Sequence, residues 1–189
     1  MKLGKLLAAT AMLLLAGLVN AQPMTVFGTG EAARSCAREA ELASIPVANA
    51  RKGVDLCSFS LEHERLTQND RAATLVNRGI LLTAARQYAQ ALDDYNRALE
   101  LQPALAEPYI GRGNLVFLAG RFDLAISEYN LALTMMLSRR HVGYFNRGLA
   151  YEKQGMQQEA IADYQQALAI KPDWSLPQER IDKLAERVE

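Results

Sequence analysis

Two cysteines and two histidines are the side chains of this 189-residue chain with the clearest capacity for chemistry. Cys36 and Cys57 lie 21 positions apart, while His63 and His141 stand in unrelated contexts. An even number of cysteines in an oxidising compartment favours a disulfide, which here would close a loop of about 20 residues and contribute about 3 kcal/mol to stability. Free thiols and a metal site are the alternatives, and these four residues make a poor zinc-binding set.

Enzyme signatures are absent from the sequence, which contains no GxSxG motif, no Gly-rich phosphate loop and no HExxH motif. A catalytic pairing of Cys57 with His63 is disfavoured because a spacing of six does not place both residues on one face of a helix. The chain is therefore predicted to be a non-enzyme that needs no cofactor and no metal.

Composition narrows the function classes further. The chain has 21 basic and 21 acidic residues, so its formal net charge is zero. A protein that wraps nucleic acid needs a basic surface, so no nucleic-acid partner is expected. A hydrophobic fraction of 50% with 22% charged residues excludes an intrinsically disordered chain.

Residues 1–21 have the three parts of a secretory signal peptide. Lys2 and Lys5 are basic, Leu6 to Leu18 is an apolar run, and small residues precede an expected cleavage near Ala21–Gln22. The run is short for a membrane span, which needs about 20 apolar residues, although an uncleaved anchor is the alternative.

Cleavage would remove two lysines and no acidic side chain, so the mature chain would carry a slight excess of negative charge. No remaining stretch is apolar enough to insert in a membrane. The expected location is the bacterial periplasm, or the medium after secretion, with residues 22–29 forming a mobile N-terminus.

Three consecutive segments of about 34 residues align with almost no gaps. They are 72–105, 106–140 and 141–174. Counted from the start of each segment, positions 8, 20, 24 and 27 recur as Gly, Ala, Tyr and Ala, namely Gly79, Gly113 and Gly148; Ala91, Ala125 and Ala160; Tyr95, Tyr129 and Tyr164; and Ala98, Ala132 and Ala167. Small residues allow helices to approach closely where they cross, and the tyrosine fills the adjoining space.

These columns resemble the tetratricopeptide repeat (TPR) family over about 100 residues. The resemblance implies an all-α fold, an α-solenoid of antiparallel helix hairpins with three TPR repeats at 72–105, 106–140 and 141–174 and a C-terminal capping helix at 175–189. Upstream, residues 30–66 are interpreted as a degenerate helical pair, with a first helix near 31–43 and a second near 46–64. A Cys36–Cys57 disulfide would join these two helices.

A charged pair recurs at positions 7 and 23 of every repeat. The pairs are Arg78 with Asp94, Arg112 with Glu128, and Arg147 with Asp163. Because the spacing is the same each time, it predicts three equivalent ion pairs inside the helix hairpins. A structural role is favoured, and a ligand-binding role for the arginines is the alternative.

The resemblance places the binding surface on the concave face lined by the first helix of each repeat. The predicted partner-binding groove residues are Val76, Ile80, Ile110, Asn114, Phe117, Phe145 and Leu149. Residues that grip C-terminal carboxylates in some family members are not matched here, so that activity is not expected. An apolar groove suits a peptide or helix of a partner protein. The alternative is that the groove is filled by the protein's own N-terminus or by a second copy. The alternative function is that of a structural or assembly protein that self-associates or supports an envelope complex.

Overall fold

The computed structural model describes Met24 and residues 30–41, 47–135 and 137–186, and every structural statement below refers to them. They form helices α1 to α9 and contain no β-strand. The helices are α1 (Glu31–Glu41), α2 (Val47–His63), α3 (Gln68–Ala84), α4 (Tyr88–Leu101), α5 (Glu107–Leu118), α6 (Phe122–Thr134), α7 (Arg140–Lys153), α8 (Gln157–Ile170) and α9 (Ser175–Ala185). The predicted all-α architecture of helix hairpins is confirmed. The predicted signal peptide at 1–21 lies outside the described residues.

The chain divides into two compact units. Unit 1 ends at Leu101 and contains α1–α4, whereas unit 2 begins at Gln102 and contains α5–α9. In unit 1, α1 pairs with α2 and α3 pairs with α4, and both α1 and α2 pack against α3. In unit 2, α5 pairs with α6, α7 with α8, and α9 packs on α8. No described helix is both long and apolar enough to cross a membrane.

The glycine and tyrosine columns meet in space inside each repeat. A methyl group added at Gly79, Gly113 or Gly148 would lie 2.4–2.7 Å from the ring of the tyrosine in the same repeat. Those rings, on Tyr95, Tyr129 and Tyr164, are each 1% exposed or less. Only glycine allows the first helix to lie this close to the tyrosine of the second, so this contact sets the packing of the hairpin.

The turn inside each repeat has the same geometry at position 15. The residues there are Arg86, Gly120 and Gly155, with φ values of 61°, 76° and 78°. In each turn two backbone N–H groups bond back to the end of the first helix, as Gly120 N does to Phe117 O and Arg121 N does to Val116 O. This is the Schellman helix ending, which glycine adopts at least cost. Arg86 adopts the same left-handed conformation with a side chain present.

Glu64, which follows α2, joins the end of that helix to the start of α1 in the first hairpin. Its Oε1 accepts a hydrogen bond from the Ala32 N–H and its Oε2 one from the Ala33 N–H, each at 3.0 Å. The carboxylate therefore caps the first turn of α1, where backbone donors lack partners inside the helix. Gly30 makes this possible, because a methyl group there would lie 2.2 Å from Oε2.

Replacing Glu64 with glutamine is expected to lower the free energy of unfolding by about 0.5–1 kcal/mol at pH 7. Burial by itself raises the pKa of the Glu64 carboxyl, but the Ser60 hydroxyl, the backbone N–H groups of α1 and the charge of Arg34 outweigh it and leave the pKa lowered. A carboxyl whose pKa is lower when folded stabilises the fold above its unfolded pKa and loses that contribution as the pH falls. Urea unfolding of both proteins should therefore show a difference at pH 7 that shrinks towards pH 3. A difference independent of pH would contradict the role of the charge.

Candidate functional site

The seven predicted groove residues all lie inside the units. Val76 and Ile80 are on α3 in unit 1; Ile110, Asn114 and Phe117 on α5 and Phe145 and Leu149 on α7 are in unit 2. Each is 6% exposed or less. Their role in binding stays a prediction, but the described structure gives them packing contacts and not an open surface. A charge introduced at one of these positions would test folding before it tested binding.

Asn77, one residue after Val76, binds the backbone of Met24. Its Oδ1 accepts a hydrogen bond from the Met24 backbone N–H at 2.7 Å, and its Nδ2 donates to the Met24 carbonyl at 2.8 Å. Asn77 is fully buried, on helix α3. One side-chain amide therefore satisfies both polar groups of one residue that is 53 positions earlier in the chain.

Small side chains surround Met24. Ala33 of α1 and Ala73 of α3 form a buried cluster, against which Met24, Ala37 and Leu66 pack. Alanines leave room between α1 and α3, and an unbranched thioether side chain fills irregular gaps of this kind. Met24 is the one described residue of the predicted N-terminal segment 22–29, and the others lie outside the described residues. The predicted mobility of that segment stays a prediction.

Sequence reasoning missed Asn77. Its signal was available, because asparagine stands at position 6 of both the first and the third repeat, as Asn77 and Asn146. In unit 2, Asn146 Nδ2 donates to Asn114 Oδ1 at 3.0 Å, and that oxygen also accepts from the Tyr129 hydroxyl at 2.8 Å. The Asn146 Oδ1 atom is buried and has no hydrogen-bond partner among the described residues. Position 6 therefore carries a buried amide in both units, and in unit 1 that amide binds peptide backbone.

The three predicted ion pairs are confirmed. Arg78 Nε and Nη2 each lie 2.7 Å from an oxygen of Asp94, and Arg147 makes the same two contacts with Asp163. Arg112 Nη2 bonds Glu128 Oε1. The hydrogen bonds that Arg78 and Arg147 donate to Asp94 and Asp163 raise the pKa of each arginine. Because each guanidinium is neutralised inside its own hairpin, these pairs support packing and offer no vacant anion site.

The end of unit 2 is closed by its capping helix. Arg180 of α9 binds both carboxylate oxygens of Glu152 on α7, and the Tyr164 hydroxyl donates to the same carboxylate. Trp174 packs its ring 4.7 Å from Phe145 and 5.4 Å from His141, measured between centroids. The aromatic group at this joint therefore covers Phe145, one of the predicted groove residues.

The predicted disulfide joins Cys36 of α1 to Cys57 of α2, with the two Cα atoms 4.9 Å apart. Both cysteines are fully buried, so the bond lies inside the first hairpin. Among the described residues, no group of three or more His, Cys, Asp or Glu side chains is arranged to hold a metal ion.

Comparisons with known proteins agree with this architecture. The family model described as tetratricopeptide repeat matches residues 72–105 and 141–173. No curated protein sequence matches the chain significantly.

Solved structures of low sequence identity share the fold. One is the first TPR of Spaghetti (RPAP3) bound to the HSP90 peptide SRMEEVD, with a TM-score of 0.59 and 22% identity over 64% of this chain and 94% of that one. The Arabidopsis OM64 TPR domain has a TM-score of 0.58 and 22% identity over 64% of this chain and 98% of the other. MamA from Desulfovibrio magneticus RS-1 has a TM-score of 0.60 and 17% identity over 85% and 87%. At these identities the likeness establishes the all-α solenoid fold alone.

Proposed function

We propose that this chain is a tetratricopeptide repeat protein and a non-enzymatic module that binds an extended peptide segment of a partner protein at Asn77. The repeat fold supports a role in protein–protein interaction, and one structural neighbour is a repeat domain with a bound peptide. The partner would be a protein, recognised partly through its backbone.

The contact between Asn77 and Met24 is the observation that carries this proposal. A side-chain amide that donates to a carbonyl and accepts from the N–H of the same residue recognises extended backbone whatever its sequence. Specificity would come from the cluster of Ala33, Ala37, Ala73 and Leu66, which accepts one unbranched apolar side chain. Charged groups take no part in these contacts, so the affinity should depend only weakly on salt.

The proposed location is the bacterial periplasm or the medium after secretion. Two features support it: the signal-peptide pattern of residues 1–21 and the disulfide between Cys36 and Cys57. Disulfides persist in oxidising compartments and are rare in the cytosol. Self-association and support of an envelope complex stay predictions.

Replacing Asn77 with alanine is expected to weaken binding of selected peptides by roughly 5- to 150-fold. The substitution removes two neutral hydrogen bonds to the peptide, each contributing about 0.5–1.5 kcal/mol. Nine-residue peptides would be selected from a random library displayed on phage, using the purified wild-type protein and also the full-length Met24→Glu variant, because Met24 contacts Asn77 in wild type. The affinities of the selected peptides for wild type and for Asn77→Ala would then be measured by fluorescence anisotropy.

Gln158→Ala provides the matched control, because it removes an exposed side-chain amide from α8 and should leave affinity unchanged. Circular dichroism would verify that all three proteins are folded. Equal affinities for wild type and Asn77→Ala, or a library that yields no binding peptide, would count against peptide recognition at Asn77.

A further inference from the structure

We propose that Met24 is a built-in competitor: the chain's own N-terminal segment occupies the Asn77 site and must be displaced before a partner peptide binds. This inference rests on the proposed function for its consequence, but the occupancy itself can be measured separately. It assigns an autoinhibitory role to residues that lie before the first helix.

The contact has the features of a bound ligand. Met24 belongs to no helix or strand, and both of its backbone polar groups are satisfied by one buried side chain. The Met24 side chain packs on alanines from two different helices, α1 and α3. The two hydrogen bonds match a donor with an acceptor at both backbone polar groups of Met24.

Tethering makes even a weak contact effective. Only residues 25–29 separate Met24 from Gly30, at the start of the first helical pair. A ligand that is joined to its binding site by a short stretch of chain has an effective concentration in the millimolar range. If the free segment bound with a dissociation constant of about 100 μM, the tethered segment would reduce the apparent affinity of a competitor by roughly tenfold.

Met24 also indicates the chemistry of a partner peptide that could take its place. It would be an extended peptide with an unbranched apolar residue, such as methionine, at the position whose backbone Asn77 binds. A β-branched or charged residue there would fit the alanine-lined space less well. The sequence of residues 22–30, QPMTVFGTG, is therefore the natural probe.

Releasing the internal segment is expected to open the site to this probe. In the full-length Met24→Glu variant, labelled QPMTVFGTG should bind at least tenfold more tightly than it binds wild type in fluorescence anisotropy. The probe QPETVFGTG should bind neither protein, and Met24→Glu combined with Asn77→Ala should lose the gained affinity. The matched control is Met156→Glu, which places the same charge at an exposed methionine of unit 2 and should behave as wild type.

Hydrogen exchange tests the occupancy without any added peptide. The Met24 amide of wild type should exchange at least tenfold more slowly than an unstructured amide in NMR, and Asn77→Ala should remove that protection. Unprotected exchange in wild type, or equal probe binding by wild type and Met24→Glu, would overturn the proposal. Protection that appears only as protein concentration rises would assign the occupant to a second copy and would also overturn it. A protected Met24 amide together with a library that yields no ligand even for the Met24→Glu variant would leave self-occupancy standing and remove the proposed partner function.

Discussion

Replacing Asp94 with alanine is expected to lower the free energy of unfolding by about 3–5 kcal/mol, because it leaves the Arg78 guanidinium largely buried without its counter-charge. The Asp94 side chain is 2% exposed and that of Arg78 is 18% exposed. Both oxygens of Asp94 bind Arg78 at 2.7 Å. The Ser58 hydroxyl, at 3.0 Å from Arg78 Nη1, stays in place but carries no charge. Urea unfolding followed by circular dichroism at pH 7 measures the loss.

The equivalent acid of the second repeat supplies the comparison. The side chains of Arg112 and Glu128 are 27% and 17% exposed, so solvent screens this pair more strongly. Glu128→Ala should therefore cost clearly less than Asp94→Ala, on the order of 1 kcal/mol. The double variant Arg78→Met/Asp94→Leu should recover much of the loss, since it removes both charges together. Equal losses for the two alanine variants, or no recovery in the double variant, would show that charge burial is not the cause.

The structure of the repeats could be predicted because the contacts that define it form between residues close in sequence. One glycine, one tyrosine and one Arg–acid pair recur at fixed positions, and each meets its partner within a single hairpin. Arg147 and Asp163 stand on the two helices of one hairpin, 16 positions apart, so the constant spacing is enough to predict their contact. The same argument explains why the disulfide could be anticipated, since Cys36 and Cys57 also join the two helices of one hairpin.

The candidate site could be predicted only in part, because exposure depends on what covers a helix. The resemblance indicated which residues of α3 are expected to line the groove, but not that Val76 and Ile80 are 1% exposed. Met24 lies outside the repeats, so no recurring position in the sequence identifies it as a contact residue. Its pairing with Asn77 spans 53 residues, and no periodic pattern reaches across that distance. The asparagine at position 6 was visible in the sequence, but its partner was not.

Removing the disulfide with the double substitution Cys36→Ser/Cys57→Ser is expected to lower the free energy of unfolding by about 3 kcal/mol. A cross-link between residues 21 positions apart restricts the unfolded chain, and a loop of that length corresponds to about this contribution on the chain-entropy model. The bond is buried between the two helices of the first hairpin, so its loss also removes a packing contact there. Urea unfolding without reductant measures the difference.

Loss of the bond should also weaken the Asn77 site, because α1 carries Ala33, which belongs to the cluster against which Met24 packs. The double-serine variant should therefore show faster exchange of the Met24 amide, while its Asn77 is unchanged. Dithiothreitol should shift wild type towards the variant and leave the variant unaffected, which separates the bond from any effect of serine itself. The variant could lose about 3 kcal/mol of its free energy of unfolding while its Met24 amide still exchanges at the wild-type rate. That result would show that the disulfide stabilises α1 without positioning it over the site.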